Sequence, residues 1–295
     1  MKPAPFEYRA PDSLAAALEL AGEHGDDAKL LAGGQSLIPV MNFRLAQPAM
    51  LIDLNGVAEL DFVRPGEDGT LRVGALTRMS RLERYAELPD YSPLLAEAIP
   101  WVAHPQIRNR STFGGTLAHA DPAAEAPAVC LADGARFKLA KRGGERWVAA
   151  GEFFRGLFET ALEPDEILVE VELPAAGAGR GTSFQEIARR HGDYALAGVA
   201  AAVRLAADGA IASGRLVYLS VGDKPVDAAA AAAMLAGERP SAALFAAVAE
   251  HVAAHEIEPA GTIHATPEFT RHLVRVLTRR ALAKAVERAA AEGSR

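Results

Sequence analysis

Apolar positions along the chain switch between two periods, and the switches mark its elements. Pro11–Ala21 sets Leu14, Leu18 and Ala21 on one helical face, with Asp12 or Ser13 placed to cap it and Gly22, Gly25 and Asp26 placed to end it. Lys29–Ala32 and Met50–Leu54 are short apolar runs that read as strands, with Leu37–Met41 as a helix or extended arm between them. Leu60–Val63 and Thr70–Val73 flank the turn-forming Pro65–Gly69 and predict a hairpin. Helical spacing returns over Arg78–Leu88, with Thr77 or Ser80 as cap, and over Tyr91–Trp101, and alanine-rich Ala123–Leu131 reads the same way. Alternation at Ala135–Leu139, Arg146–Val148 and Ile167–Leu173 predicts strands with antiparallel pairing.

Pro174–Gly181 breaks the pattern and marks a boundary. Beyond it, Thr182–Ala188, Gly198–Leu205 and Gly214–Val221 predict three more strands, followed by alanine-rich helices over Asp227–Ala236 and Ser241–His255. Thr266-Pro267 is an N-cap with proline in the first helical position, and the helix it opens is expected to turn Phe269, Leu273, Val276 and Leu277 inward. The whole reads as an α+β chain in three parts: 1–55, 56–176 and 177–295, the last a small antiparallel sheet with helices.

A chain of 295 residues, half of them hydrophobic, can bury several cores. Its formal charge of −7 argues against a nucleic-acid or anionic-membrane surface. Arg108 and Arg110, with Arg78, Arg81 and Arg84, supply either a local basic pocket or a solvated basic face. A single cysteine, Cys130, rules out a disulfide framework and a cysteine-ligated iron–sulfur cluster built from this chain alone. The N-terminal Met1–Phe6 lacks the apolar core of a signal peptide and no apolar run is long enough to span a bilayer, so a cytoplasmic location is expected.

The candidate chemistry sits in two glycine pairs set among hydroxyl and amide side chains, Leu31-Ala-Gly-Gly-Gln-Ser-Leu37 and Arg108-Asn-Arg-Ser-Thr-Phe-Gly-Gly-Thr116. Glycine admits positive φ and close backbone approach, and successive amides in such turns form a concavity suited to phosphate oxygens. Two of them, far apart in sequence, predict one ligand with two phosphates. Neither pair continues as a P-loop or matches the spaced Rossmann fingerprint, and no His-Glu-x-x-His or Cys-x-x-Cys is present. His104 and His119 flank the second pair as ligand contacts or as loop-bonded histidines. Asp121-Pro122 is a turn starter, and Glu125 is either an acceptor for a ribose or ribityl hydroxyl or a solvated helix carboxylate.

Ala32–Leu37 and Thr112–Thr116, followed by Ala118-His-Ala-Asp-Pro122, resemble the two flavin-pyrophosphate motifs of the FAD-binding medium subunits of molybdenum hydroxylases, the xanthine dehydrogenase and carbon monoxide dehydrogenase group. The similarity continues through Asp165–Val171, Arg190–Gly198 and His272–Ala281. It implies a two-lobed FAD-binding PCMH-type fold, like that of vanillyl-alcohol oxidase, plus a C-terminal lobe. By position, Ala32, Gly33, Gly34, Gln35, Ser36 and Leu37, with Thr112, Gly114, Gly115 and Thr116, would hold the pyrophosphate of a non-covalent FAD. Glu125 stands where the family usually has an aspartate on the cofactor, Leu168 would touch the isoalloxazine, and Tyr194 would lie near or over it. Gln185 replaces the lysine of xanthine dehydrogenases, which argues against transferring their NAD site.

The implied role is electron transfer from a partner's iron–sulfur clusters through FAD to an external acceptor. A small iron–sulfur subunit and a large molybdopterin subunit would complete a dimer of heterotrimers. No side chain here need act as nucleophile, acid or base, and no metal is expected on this chain. A free-standing flavin-dependent reductase or oxidase of the same fold is the alternative.

Overall fold

A computed structural model describes residues 1–177 and 179–292. The first lobe is a parallel sheet in the order β1 (Glu7–Arg9), β3 (Met50–Asp53), β2 (Ala28–Leu31). Helix α1 (Leu14–His24) is capped by Ser13, whose hydroxyl accepts from the Ala16 amide, and Gly25 closes it. Gly22 lies inside that helix and does not end it. After β2 the chain turns into α2 (Leu37–Asn42). Ala17, Ala21, Met50, Ile52 and Leu54 pack with Leu76, Ala140, Ile167 and Val169 of the second lobe, so the two lobes share one apolar core.

The second lobe is an antiparallel sheet in the order β4-β5-β10-β6-β7. Its strands are β4 (Val63–Pro65), β5 (Leu71–Gly74), β6 (Arg136–Lys141), β7 (Gly144–Ala149) and β10 (Ile167–Leu173), with a side hairpin of β8 (Phe154–Gly156) and β9 (Glu159–Thr160). The helix expected over Arg78–Leu88 is only α3 (Met79–Glu83) followed by α4 (Leu88–Tyr91). No side chain caps α3: its N-cap position is Arg78, and the Thr77 hydroxyl donates to the Phe62 carbonyl. Short helices α5 (Pro93–Ala98), α6 (Pro105–Arg108), α7 (Phe113–His119), α8 (Glu125–Asp133) and α9 (Ala150–Phe153) complete the lobe. Cys130 is buried in α8.

The third lobe is a four-stranded antiparallel sheet of β11 (Arg180–Ala188), β12 (Ala195–Leu205), β13 (Ile211–Leu219) and β14 (Val226–Asp227). Ala178, in the stretch that marks the expected boundary, lies outside the described residues. One face of this sheet carries α10 (Ala229–Ala233), α11 (Ala242–His251) and α12 (Pro267–Glu292). The other face carries Phe184, Ala200, Val217 and Leu219 into the core of the second lobe.

Thr266 caps α12 by accepting from the Phe269 amide. The buried stripe of α12 runs Thr270, Leu273, Val274, Leu277, Thr278 and Ala281. That period leaves Phe269 exposed and Val276 at the edge, against the expectation that both turn inward. Thr278 enters the stripe because its hydroxyl pairs with the buried Tyr218 phenol at 2.7 Å.

Candidate cofactor-binding site

The first glycine pair follows β2. Gly34 takes φ +72°, and a Cβ there would lie 3.2 Å from Leu31 Cδ1 and 3.3 Å from Ile38 Cγ1. The Gln35 side-chain amide folds back on the Gly33 carbonyl at 3.0 Å. The amides of Gly33, Gly34, Gln35 and Ser36 donate to no acceptor among the described residues. Leu37 opens α2, and the Ser36 side chain makes no capping bond.

The second pair is built differently. Gly114 and Gly115 form the first turn of α7 and neither has positive φ, so this is a helix start and not the turn expected from glycine. Thr112 caps it, accepting from the Gly115 amide at 3.1 Å. The Phe113 and Gly114 amides donate to the carbonyls of Thr77 and Ala75. Gly114 is required for packing, since a Cβ would lie 2.4 Å from that of Ala75. Main-chain donors of the second motif are therefore largely spent inside the fold, while those of the first are free.

The two motifs meet. A Cβ on Gly33 would lie 2.4 Å from the Arg110 carbonyl oxygen and 2.6 Å from Ser111 Cα, and one on Gly115 would lie 3.4 Å from Ala32 Cβ. A polar clasp holds this junction: Asn55 Nδ2 donates to the Ala32 carbonyl at 2.8 Å, and Arg78 donates to Asn55 Oδ1 and to the Arg110 carbonyl. Beside it lies a cavity of about 330 Å³ lined by Gly34, Ile38, Pro39, Asp53, Asn55 and Arg110. Ser111, next to the cavity-lining Arg110, has its Oγ buried without a hydrogen-bond partner. Burial works against the Asp53 carboxylate, yet hydrogen bonds from Tyr8 and Asn55 hold it below the usual range.

The arginines divide by role. Arg108 is buried, forks onto both Glu83 oxygens and donates to the carbonyls of Val102 and Ala103, so it is scaffold. Arg81 pairs with Asp61 at 2.7 Å. Arg78 belongs to the clasp, and Arg110 alone of the set lines the cavity. Asn55 and Asp53 stand in no recognisable motif and the sequence does not mark them, whereas Arg78 is one of the arginines expected to form a local basic pocket or a solvated face.

The remaining candidates lie toward the third lobe. Glu125 is the first residue of α8 and only 7% exposed, which removes the solvated-carboxylate reading. Burial, reinforced by Asp121 and opposed by Arg108, pushes it up to about 7. Asp121 forms the expected turn, accepting from the Ala123 amide. Tyr194 precedes β12, exposes 70% of its surface and lies within electrostatic reach of Asp121 and Glu125. Leu168 is buried in the core of the second lobe, while Thr116 lies within α7. His119 lies against Phe158, with ring centres 5.0 Å apart, and burial lowers its pKa. His104 packs beneath Gly192.

Residues 4–176 match the FAD binding domain in molybdopterin dehydrogenase, and residues 182–285 match the CO dehydrogenase flavoprotein C-terminal domain. The chain belongs to the FAD-binding medium subunits of the molybdenum hydroxylases.

Similar members of this family match along their whole length. The chain is 41% identical to the 6-hydroxypseudooxynicotine dehydrogenase complex subunit alpha of Paenarthrobacter nicotinovorans, covering 98% of this chain and 97% of the relative. Its fold superposes on a chain of carbon monoxide dehydrogenase from Hydrogenophaga pseudoflava with TM-score 0.94 and 39% identity, covering 98% and 99%. Against quinoline 2-oxidoreductase from Pseudomonas putida 86 the values are 0.92 and 36%, covering 98% and 99%. The fold is thus the α+β, FAD-binding PCMH type. The chain is an oxidoreductase subunit of the FAD-binding kind found in heteromeric molybdenum hydroxylases, and in its carbon monoxide dehydrogenase homologues the molybdenum cofactor and iron–sulfur clusters reside on other subunits. No helix among the described residues is long and apolar enough to cross a membrane.

Proposed function

We propose that the chain holds one non-covalent FAD where its two glycine motifs meet. The observation that carries this is the contact of Gly33 with Arg110 and Ser111, which joins segments distant in sequence around one cavity. The residues fit a diphosphate: four unspent amides over Gly33–Ser36, the unpartnered Ser111 hydroxyl and the Arg110 charge all suit anionic oxygens. Ala32–Leu37 would carry most of that contact. Thr112, Gly114, Gly115 and Thr116 would act mainly by shaping the opposite wall, because their amides are largely engaged in the fold. Glu125, Leu168 and Tyr194 would serve the flavin half.

Bound FAD takes electrons singly or in pairs and so links one-electron carriers to a two-electron acceptor. The chain's own residues bind, orient and shield it, and none is required to move a proton onto substrate. The division into 1–55, 56–176 and 177–295, a cytoplasmic location and assembly as a dimer of heterotrimers complete this proposal. Copurification with an iron–sulfur chain and a molybdopterin chain would support it, whereas turnover by this polypeptide alone would favour the free-standing flavoenzyme.

Two outcomes follow for the purified chain. It should carry FAD that acid releases intact, in a ratio near one; a colourless preparation that takes up no added FAD contradicts the proposal. Arg78→Ala should loosen the clasp, weakening FAD binding about tenfold and lowering Tm by a few degrees, roughly what a lost charged hydrogen bond costs. Unchanged affinity in that variant would show that the clasp does not set the spacing of the motifs.

A further inference from the structure

The face of the third sheet that packs on the second lobe changes character along its strands. Phe184 of β11, Ala200 of β12 and Val217 of β13 stand in register and are buried there. Directly opposed residues share one face of an antiparallel sheet, and that face returns at every second residue. One step on, it carries Thr182, Ala202 and Arg215, and the next step brings Arg180, Arg204 and Ser213. Three arginines from three strands thus follow where the apolar core ends. They line a second cavity, of about 340 Å³, together with Ala132 and Asp133 at the end of α8. Arg180 and Arg204 stand directly opposite each other, and like charges so placed cost stability unless a counter-charge is supplied.

Carboxylates answer only part of this charge. Asp133 accepts from Arg180 at 2.9 Å and from the Ser92 hydroxyl at 2.5 Å. Asp227, outside the lining, pairs with Arg215 at 2.9 Å. Asp133 is the only carboxylate among the lining residues, so three guanidinium groups face one negative charge, and positive charge stays in excess even with Asp227 counted. Arg180 spends Nη2 on Asp133 and the Ala132 carbonyl, and Arg215 spends Nη2 on Asp227. Nε and Nη1 of both meet no acceptor among the described residues. Arg215 Nη1 reaches the end of α8, where a Cβ on Gly134 would lie 3.7 Å from it.

We propose that this cavity is a binding site for a small phosphate-bearing molecule, held between the second and third lobes by Arg180, Arg204 and Arg215. Guanidinium forks match phosphate oxygens two at a time, and a phosphate monoester carries about −1.5 to −2 at pH 7, which suits the surplus here. A carboxylate brings only two oxygens and one charge. The volume falls within the range of small-ligand pockets, about 300–1,000 Å³, and leaves room for a substituent beside the phosphate. The site shares no lining residue with the cavity at the glycine motifs and stands whether or not that cavity holds FAD. Occupancy braces β11, β12 and β13 against the end of α8, so the ligand stabilises the packing of the two lobes.

The test is calorimetric titration and thermal melting of the full chain at about pH 7 and constant ionic strength, with excess FAD present to fill the first cavity. The probes are inorganic phosphate, glycerol 3-phosphate and, as the carboxylate control, acetate. At about a hundred times its dissociation constant, a phosphate should raise Tm by roughly 5 °C, and acetate should not. Tighter binding of the ester assigns the site to a phosphorylated small molecule, and equal or tighter binding of inorganic phosphate assigns it to the ion itself. Arg204→Gln and Arg215→Gln should each weaken binding about tenfold, the loss of one charged hydrogen bond, with circular dichroism unchanged. Arg110→Gln, which alters only the first cavity, should bind as the wild type does. Should one of the third-lobe variants fail to fold, the other and the acetate comparison decide. No binding of either phosphate, binding that survives Arg204→Gln and Arg215→Gln, binding lost in Arg110→Gln, or a Tm rise that acetate reproduces overturns the inference. Failure of the chain to take up FAD would count against the FAD reading alone.

Discussion

Gly33→Ala is expected to weaken FAD binding by up to about a hundredfold while leaving the fold in place. The added methyl would lie 2.4 Å from the Arg110 carbonyl oxygen and 2.6 Å from Ser111 Cα, and both are backbone atoms that cannot swing aside. The two lobes must part locally to admit it. Overpacking of this kind costs roughly 1–3 kcal/mol, and if that cost falls on the bound geometry it appears as about five- to hundredfold in affinity. Gly22→Ala is the control. It lies inside α1, its Cβ meets nothing within 4 Å, and alanine is the better helix former. Equilibrium titration with FAD, beside circular dichroism of both variants, gives the comparison. Equal affinity in the two would show that the junction of the motifs does not matter for the cofactor.

The second large effect is on stability. Without cofactor, the chain should be most stable in mildly acidic solution and lose stability as pH rises through about 7 to about 9. Burial raises the folded pKa values of Glu125 and Glu186 above their ordinary 4.5, so the folded state holds protons that the unfolded state has released. Stability from such groups is fully present below about pH 4.5 and declines until each has titrated in the fold. At about 1.4 kcal/mol for a tenfold change in proton affinity, the two together should amount to several kcal/mol. Urea denaturation at several pH values reads this directly. The Glu125→Gln, Glu186→Gln double variant should show a flatter profile across that range. A wild-type chain whose stability does not fall between about pH 5 and 9 would mean that these carboxyls are ionised in the fold.

Much of the fold can be read from apolar period alone, because most elements bury one face. Helix α1, the strands of the second lobe and the three long strands of the third are of this kind. Strand β1 escapes because all three of its residues are exposed and its pairing with β3 is distant in sequence. The site is half legible. Two glycine pairs stand out by composition, and a flavin-binding resemblance gives them a shared ligand.

The different construction of the two pairs does not show in sequence. Glycine is a poor helix former, so Gly114-Gly115 reads as a turn. Thr112, together with carbonyls from Ala75 and Thr77, makes it a helix start, and those partners are tertiary. Asn55, Arg78 and Glu186 are likewise polar residues whose roles depend on what the fold brings to them. Alternation places Glu186 on a strand, but only the packed structure shows which face meets α8.

The central claim is that the chain grips a single FAD by its diphosphate where the first glycine motif abuts Arg110 and Ser111. A crystal structure of the full chain with FAD tests it most directly. The diphosphate oxygens should lie within hydrogen-bond distance of the amides over Gly33–Ser36 and of Ser111 Oγ. A diphosphate seated away from that junction, with those amides facing solvent, would contradict it.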